Sequence, residues 1–164
     1  QNITISSSSG SSSGSGSASS LNDLSDCLKE NNSVYIGNAP SSTSGAERNV
    51  GVGGFSLNNV TQGDQNTAIG HEALRFNLNG SDNTSVGTFS MRSSQNASRN
   101  TVIGNGALGS SQSAQKNVVL GFSAFGLSSS GNFNSVLGYA AGEKTSSSGN
   151  TLMGYKSTFS LKST

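Results

Sequence analysis

The stretch 66-NTAIG-70 returns seventeen positions later as 83-NTSVG-87, and again as 100-NTVIG-104. Aligned on the closing glycine, the motif recurs at Gly37, Gly53, Gly70, Gly87, Gly104, Gly121, Gly138 and Gly154, with spacings of 16, 17, 17, 17, 17, 17 and 16 residues. A period of this kind decides the fold before any single residue does. Four positions before seven of those glycines stands an asparagine: Asn49, Asn66, Asn83, Asn100, Asn117, Asn134 and Asn150, with Ser33 in the first repeat. Three before the asparagine is a small residue: Ala46, Gly63, Gly80, Ala97, Ala114, Gly131 or Ser147. The residue before the glycine is always apolar: Ile36, Val52, Ile69, Val86, Ile103, Leu120, Leu137 or Met153. Ala or Ser follows three after most of the glycines, then Leu57, Leu74, Met91, Leu108 and Phe125 in the middle five repeats.

A 17-residue unit is too short for the helix pairs of ankyrin-like arrays and holds no amphipathic helical stretch. Its apolar centre, as in 67-TAI-69 or 118-VVL-120, is β-branched or aliphatic and lies between turn-forming Asn and Gly. The expected fold is therefore all-β: a single-chain parallel β-helix or β-roll of about eight 17-residue coils, with an extended N-terminal arm. Stacked coils lie about 4.8 Å apart, so equivalent residues form columns. The asparagines are expected to take the left-handed conformation at one corner and to bond to each other as a structural ladder. The glycines permit a second corner where a Cβ would clash. The residue before the glycine is expected to point into the coil, with Ala/Ser and Leu closing the core from the opposite wall. The column two before the glycine (Gly51, Ala68, Ser85, Val102, Val119, Val136, Leu152) then faces out, and its growing apolarity predicts a covered surface over the later coils. Phe122, Tyr139 and Tyr155, just after the glycine, make an aromatic column that is either part of that contact, the preferred reading, or a sugar-stacking platform.

The series NTAIG, NTSVG, NTVIG, NVVLG, NSVLG, each followed by a small residue and usually Leu, resembles the head repeats of trimeric autotransporter adhesins and related tail-fibre repeats of phages and large viruses. The resemblance covers about residues 32–158. It implies a left-handed parallel β-roll, commonly trimeric, serving as an extracellular stalk or adhesive head. It carries over no catalytic residue, because the repeat has none.

Composition narrows the functions further. The 164 residues are 30% hydrophobic and 6% aromatic, with 22 Gly, one Pro and no Trp, a balance nearer to disordered chains than to globular ones. A net charge of +1 without a basic block argues against a nucleic-acid partner. No apolar run approaches the roughly 20 residues that cross a bilayer, so no membrane insertion is expected. Cys27, the only cysteine, excludes an intramolecular disulfide and leaves a buried thiol or a link between chains. The start at Gln1 fits a mature form freed of a targeting segment, or a chain cut there for another reason. Asp64, Glu72 and Asp82 are the carboxylates nearest to a glycosidase-like arrangement, but no His or Arg constellation supports them, and no enzyme, cofactor or metal is expected. His71, the only histidine, reads as a surface residue. Thr67, Thr84 and Thr101 begin an ice-binding-like array that Val118 and Ser135 end.

The ends depart from the repeat. Residues 1–20 form an extended arm, with a strand candidate at 2-NITIS-6 and a Ser/Gly-rich linker at 6–20. Residues 21–31 form a short capping helix or turn, with Ser20 as N-cap and Leu21, Leu24 and Leu28 at helical spacing, and residues 32–164 hold the repeats. An uncapped C-terminal coil predicts head-to-tail growth, with the arm of one subunit packed along the next. Asn2, Asn31, Asn59, Asn79, Asn83 and Asn96 head Asn-X-Ser/Thr sequons, all but Asn83, which sits in the ladder, being candidate glycosylation sites. The expected protein is a structural subunit of an extracellular fibre or filament, its partner being itself, on the outside of a cell or virion. The alternative is an adhesive head for a receptor or for surface glycans.

Overall fold

A computed structural model of the chain describes residues 27–38, 40, 43 and 45–158. Among these residues the chain is all-β with no helix. Strands β1 (Cys27–Glu30), β2 (Ser33–Ile36), β3 (Val50–Val52), β4 (Thr67–Ile69), β5 (Thr84–Val86), β6 (Thr101–Ile103), β7 (Val118–Leu120), β8 (Ser135–Leu137) and β9 (Thr151–Met153) form one sheet in sequence order. From β2 to β9 the pairing is parallel and advances one repeat at a time, with Ile36 beside Val52, Val52 beside Ile69, and so on to Leu137 beside Met153. The chain is thus a β-solenoid. Its eight parallel strands bound seven complete turns of about 17 residues, because each turn is counted from one strand to the next.

β1 runs antiparallel to β2, joined through Asn31 (φ 49°) and Asn32 (φ 59°). Two successive left-handed residues make the tight hairpin turn that Asn tolerates best. Residues 27–30 of the expected capping segment are therefore strand. The helical spacing ending at Leu28 loses to the unpaired edge of β2, which offers a ladder of backbone partners. The arm over 1–20, its Ile3 and Ile5, Asn2, residues 21–26 and the Cys27 thiol lie outside the described residues.

The strand faces are the reverse of the sequence expectation. The column two before each glycine is the core: Tyr35, Ala68, Ser85, Val102, Val119, Val136 and Leu152 are all buried, as is Gly51. The column immediately before the glycine faces outward, half-buried at Val52, Val86 and Leu120 and exposed at Ile36, Ile69, Ile103, Leu137 and Met153. The interior is narrow, and the other wall already fills it. Leu57, Leu74, Met91, Leu108 and Phe125 project in from that wall, beside buried Ser56, Ala73, Ser90, Ala107, Ala124 and Ala141. Small strand residues fit what is left: a Cβ on Gly51 would come within 3.1 Å of both the Tyr35 ring and the Ser56 hydroxyl.

The asparagines are buried and joined into a ladder. Asn83 Nδ2 donates to Asn66 Oδ1 at 2.9 Å, Asn100 to Asn83 at 3.0 Å, Asn117 to Asn100 at 3.0 Å and Asn134 to Asn117 at 3.0 Å. Asn66 and Asn150 extend the chain of amides to Asn49 and from Asn134. Each Oδ1 also accepts the backbone N–H of the next asparagine, so the corner leaves no buried amide unpaired along its length. The left-handed residue is not the asparagine but the one before it: Arg48, Gln65, Asp82, Arg99, Lys116 and Phe133 have φ between 56° and 61°. Their strain is offset by coil-to-coil backbone bonds such as Gln65 N–H to Glu47 O at 3.0 Å.

The closing glycines sit at the other corner with φ of 125–143° from Gly53 to Gly138. A Cβ on Gly104 would lie 2.2 Å from the Gly121 carbonyl oxygen, so stacking and backbone conformation both demand glycine there.

Candidate functional site

Outward-facing residues of the sheet make the first notable surface. Three-residue strands alternate out, in, out, so the positions three and one before each glycine share the solvent face. The nearer position contributes an unbroken column of Ile, Val, Leu and Met over β2–β9, about 34 Å long at the usual strand spacing. Val50 and Val118 widen it, and seven of these side chains (Ile36, Val50, Ile69, Ile103, Val118, Leu137, Met153) are 40–70% exposed. Thr67, Thr84, Thr101 and Thr151 share the same face, interrupted by Val118 and Ser135.

Phe122, Tyr139 and Tyr155 lie one glycine away from that stripe, on its C-terminal half. Their rings stack face to face, at 5.2 Å and 7° for the first pair and 5.4 Å and 17° for the second. A pyranose packs on a ring face, and here stacking covers both faces of Tyr139 and the inner faces of Phe122 and Tyr155. What the ladder offers sideways is a row of ring edges, continuous with the apolar stripe, which suits a packed contact better than a sugar platform.

The wall beyond the first corner carries a different cluster, which the sequence reading passed over. Glu72, buried at 8% exposure, accepts from Arg75 Nη1 at 2.7 Å and from Arg92 Nε. Burial alone would raise its carboxyl, but the Arg92 hydrogen bond and the charges of Arg92 and Arg75 outweigh it and hold the group below the usual carboxylate range. The guanidiniums lie over rings: Arg75 over Phe55 and Phe76, both at 5.0 Å, and Arg92 over Phe76 at 5.4 Å and Phe89 at 5.7 Å. His71 stands edge-on between Phe55 and Phe89, at 6.1 Å and 5.6 Å. Beside this cluster opens a cleft of about 410 Å³, lined by Glu72, Phe89, Arg92, Ser93, Gly109 and Ser110. The signal that would have found it is register: Arg75 and Arg92 lie 17 apart, and Phe55, Glu72 and Phe89 occupy one column.

The other two carboxylates singled out in the sequence, Asp64 and Asp82, have structural partners. Asp64 Oδ1 accepts the Glu47 N–H at 2.8 Å, and Asp82 faces Arg99 at 3.9 Å. Asn59, Asn79 and Asn96 are exposed, with Asn79 Nδ2 donating to Asn96 Oδ1 at 2.9 Å. Asn31 is exposed in the hairpin turn, whereas Asn83 is buried in the ladder. Among the described residues no group of three or more His, Cys, Asp or Glu could hold a metal ion, and no helix is long and apolar enough to cross a membrane.

No family model, curated protein or solved structure matches the chain.

Proposed function

We propose that the protein is a structural subunit of a fibre or filament on the outside of a cell or virion, assembled by self-association. The observation that carries this reading is the apolar stripe. Charged or polar side chains would suit a solvated sheet face, yet Ile, Val, Leu or Met stands before the glycine in all eight repeats. A contiguous apolar strip on a chain only 30% hydrophobic marks a surface that another surface covers. The ring edges of Phe122, Tyr139 and Tyr155 extend it at one end. The repeats' resemblance to adhesin heads and tail-fibre repeats supports the same reading, as do the exposed sequons at Asn59, Asn79 and Asn96.

The stripe shifts the expected contact from the ends to the side. β1 occupies the N-terminal edge of the sheet, antiparallel, so a parallel coil cannot dock there without displacing it. Lateral packing of sheet faces needs no such displacement. Sedimentation over a range of concentrations tests this: the wild-type chain is expected to run at a multiple of 16.5 kDa, and Ile69→Lys with Ile103→Lys to run at that mass. Wild-type protein that stays monomeric at all concentrations sinks the proposal. The adhesive alternative is favoured by the cleft beside Arg92, whose chemistry is unlike that of the stripe.

A further inference from the structure

The geometry points to the cleft between Phe89, Arg92, Ser93 and Ser110 as a binding site for a carboxylated sugar, of the uronate or sialic acid class. This does not rest on the fibre reading, since the cleft lies on the turn wall and the stripe on the strand wall.

Arg92 is the centre of the argument. Its Nε is committed to Glu72, which fixes the plane of the guanidinium, and among the described residues nothing bonds to either Nη. The ring faces of Phe76 and Phe89 hold it from the sides. An arginine so oriented, 42% exposed and with its outer fork free, is set up for bidentate recognition of a planar oxyanion. Charge agrees: Glu72 is one carboxylate shared by two guanidiniums, which leaves the cluster one positive charge in excess.

The rest of the lining fits the body of a sugar rather than a free anion. Phe89 is 40% exposed and borders the cleft with the ring surface that Arg92 leaves uncovered, an apolar contact for pyranose C–H groups, and Ser93 and Ser110 bring hydroxyls that can donate or accept. Gly109 keeps one side of the cleft free of a side chain. The volume of about 410 Å³ falls in the range of small-molecule sites and exceeds what an inorganic anion needs. The floor is stiff, because the turns that carry these residues bond coil to coil, as in Ser93 N–H to Gly109 O at 3.0 Å and Ser110 N–H to Gly126 O at 3.1 Å.

Saturation-transfer NMR tests the site, because it reads the ligand's own protons and works whether the protein is monomeric or assembled. Glucuronate and N-acetylneuraminate are expected to give saturable transfer, strongest at the ring protons, with glucose at least about tenfold weaker for want of the charged hydrogen bonds, and acetate likewise weak. Arg92→Lys, which keeps the charge and loses the fork, is expected to weaken both acidic sugars about tenfold. Ser110→Phe, which fills the mouth of the cleft without touching the Glu72 bonds, is expected to abolish transfer while the circular dichroism spectrum stays that of the wild type. No saturable transfer from either acidic sugar overturns the proposal. So does equal transfer to glucose, or transfer that survives Ser110→Phe.

Discussion

The first and second halves of the solenoid share one backbone and fill it differently. Over β3–β5 the strand contributes Gly51, Ala68 and Ser85 to the core, and the space is taken by Tyr35 from the preceding coil or by a hydrogen bond from Ser85 Oγ to Ser90 Oγ at 2.8 Å. Over β6–β9 the same column is Val102, Val119, Val136 and Leu152, packed against Ala107, Ala124 and Ala141. The outsides diverge as well. The early coils carry the Arg–Phe–Glu cluster, whose cleft reaches Gly109 and Ser110 just beyond β6, and the later ones the stacked aromatic ladder. What both halves keep is the asparagine ladder and the glycine corner. The repeat therefore fixes the stacking, and the positions it leaves free are where surfaces become distinctive.

The sharpest way to break the comparison is at what the halves share. Gly104→Ala puts a Cβ 2.2 Å from the Gly121 oxygen and 2.6 Å from its carbonyl carbon at φ 143°, and both are backbone atoms rather than the end of a flexible side chain. A loss of about 3 to 5 kcal/mol is expected in urea unfolding, enough to leave the protein largely unfolded if it is marginal. The same change at Gly154 meets nothing within 4 Å and is expected to cost only the strain of φ 110°, about 1 kcal/mol. Equal costs at the two sites would mean that stacking is not what demands glycine.

Exchanging the two core recipes gives a smaller effect. Val119→Ser leaves a void and a hydroxyl facing Ala124, whose methyl cannot replace the Ser90 Oγ that partners Ser85 and which offers only its backbone carbonyl, and is expected to cost about 2 to 3 kcal/mol. The reverse exchange, Ser85→Val with Ser90→Ala, removes both ends of a buried hydrogen bond together and is expected to be neutral or stabilising by up to about 1 kcal/mol. A large loss in the double variant would show that the early coils are too narrow for the later recipe.

These contrasts also explain what could be read from the sequence. The period of Asn and Gly gave the β-solenoid, its strand positions and its columns, because stacking constrains every coil alike. The facing of the strand differs from the sequence expectation for a physical reason. In a three-residue strand alternation sets two positions on opposite faces without saying which is inside, and the uniformly apolar column before the glycine was the natural choice for the core. That inference assumes a core short of apolar volume. Here Asn amides and residues such as Leu74 and Met91 already fill it, so even Gly51 and Ser85 suffice on the strand. The turn wall was harder still, since Glu72 and Phe89 sit at left-handed positions, φ 55° and 58°, that side chains like theirs rarely adopt. Only their register with Arg75, Arg92 and Phe55 betrays the cluster.

The smallest expected effect is the one peculiar to the early half. Glu72 titrates below the ordinary carboxylate range because, against the cost of its burial, Arg92 bonds to it and both arginines attract it. The unfolded chain therefore takes up the proton more readily than the folded one. The stabilisation from this carboxylate is complete above the ordinary carboxylate value and is lost as pH falls through the lower, folded value. In the later coils the same column holds Ser123, Ala140 and Lys156, so nothing there mirrors the effect. Urea midpoints of the wild type and Glu72→Gln should differ by a constant amount at neutral pH, with the wild type more stable, and converge on acidification. The exposed pairs Glu47–Arg48 and Asp82–Arg99 remain in both proteins and cancel in the difference. A gap that persists unchanged into strong acid would mean that Glu72 acts by its shape and hydrogen bonds alone, and that the excess positive charge assigned to the cleft is not felt there.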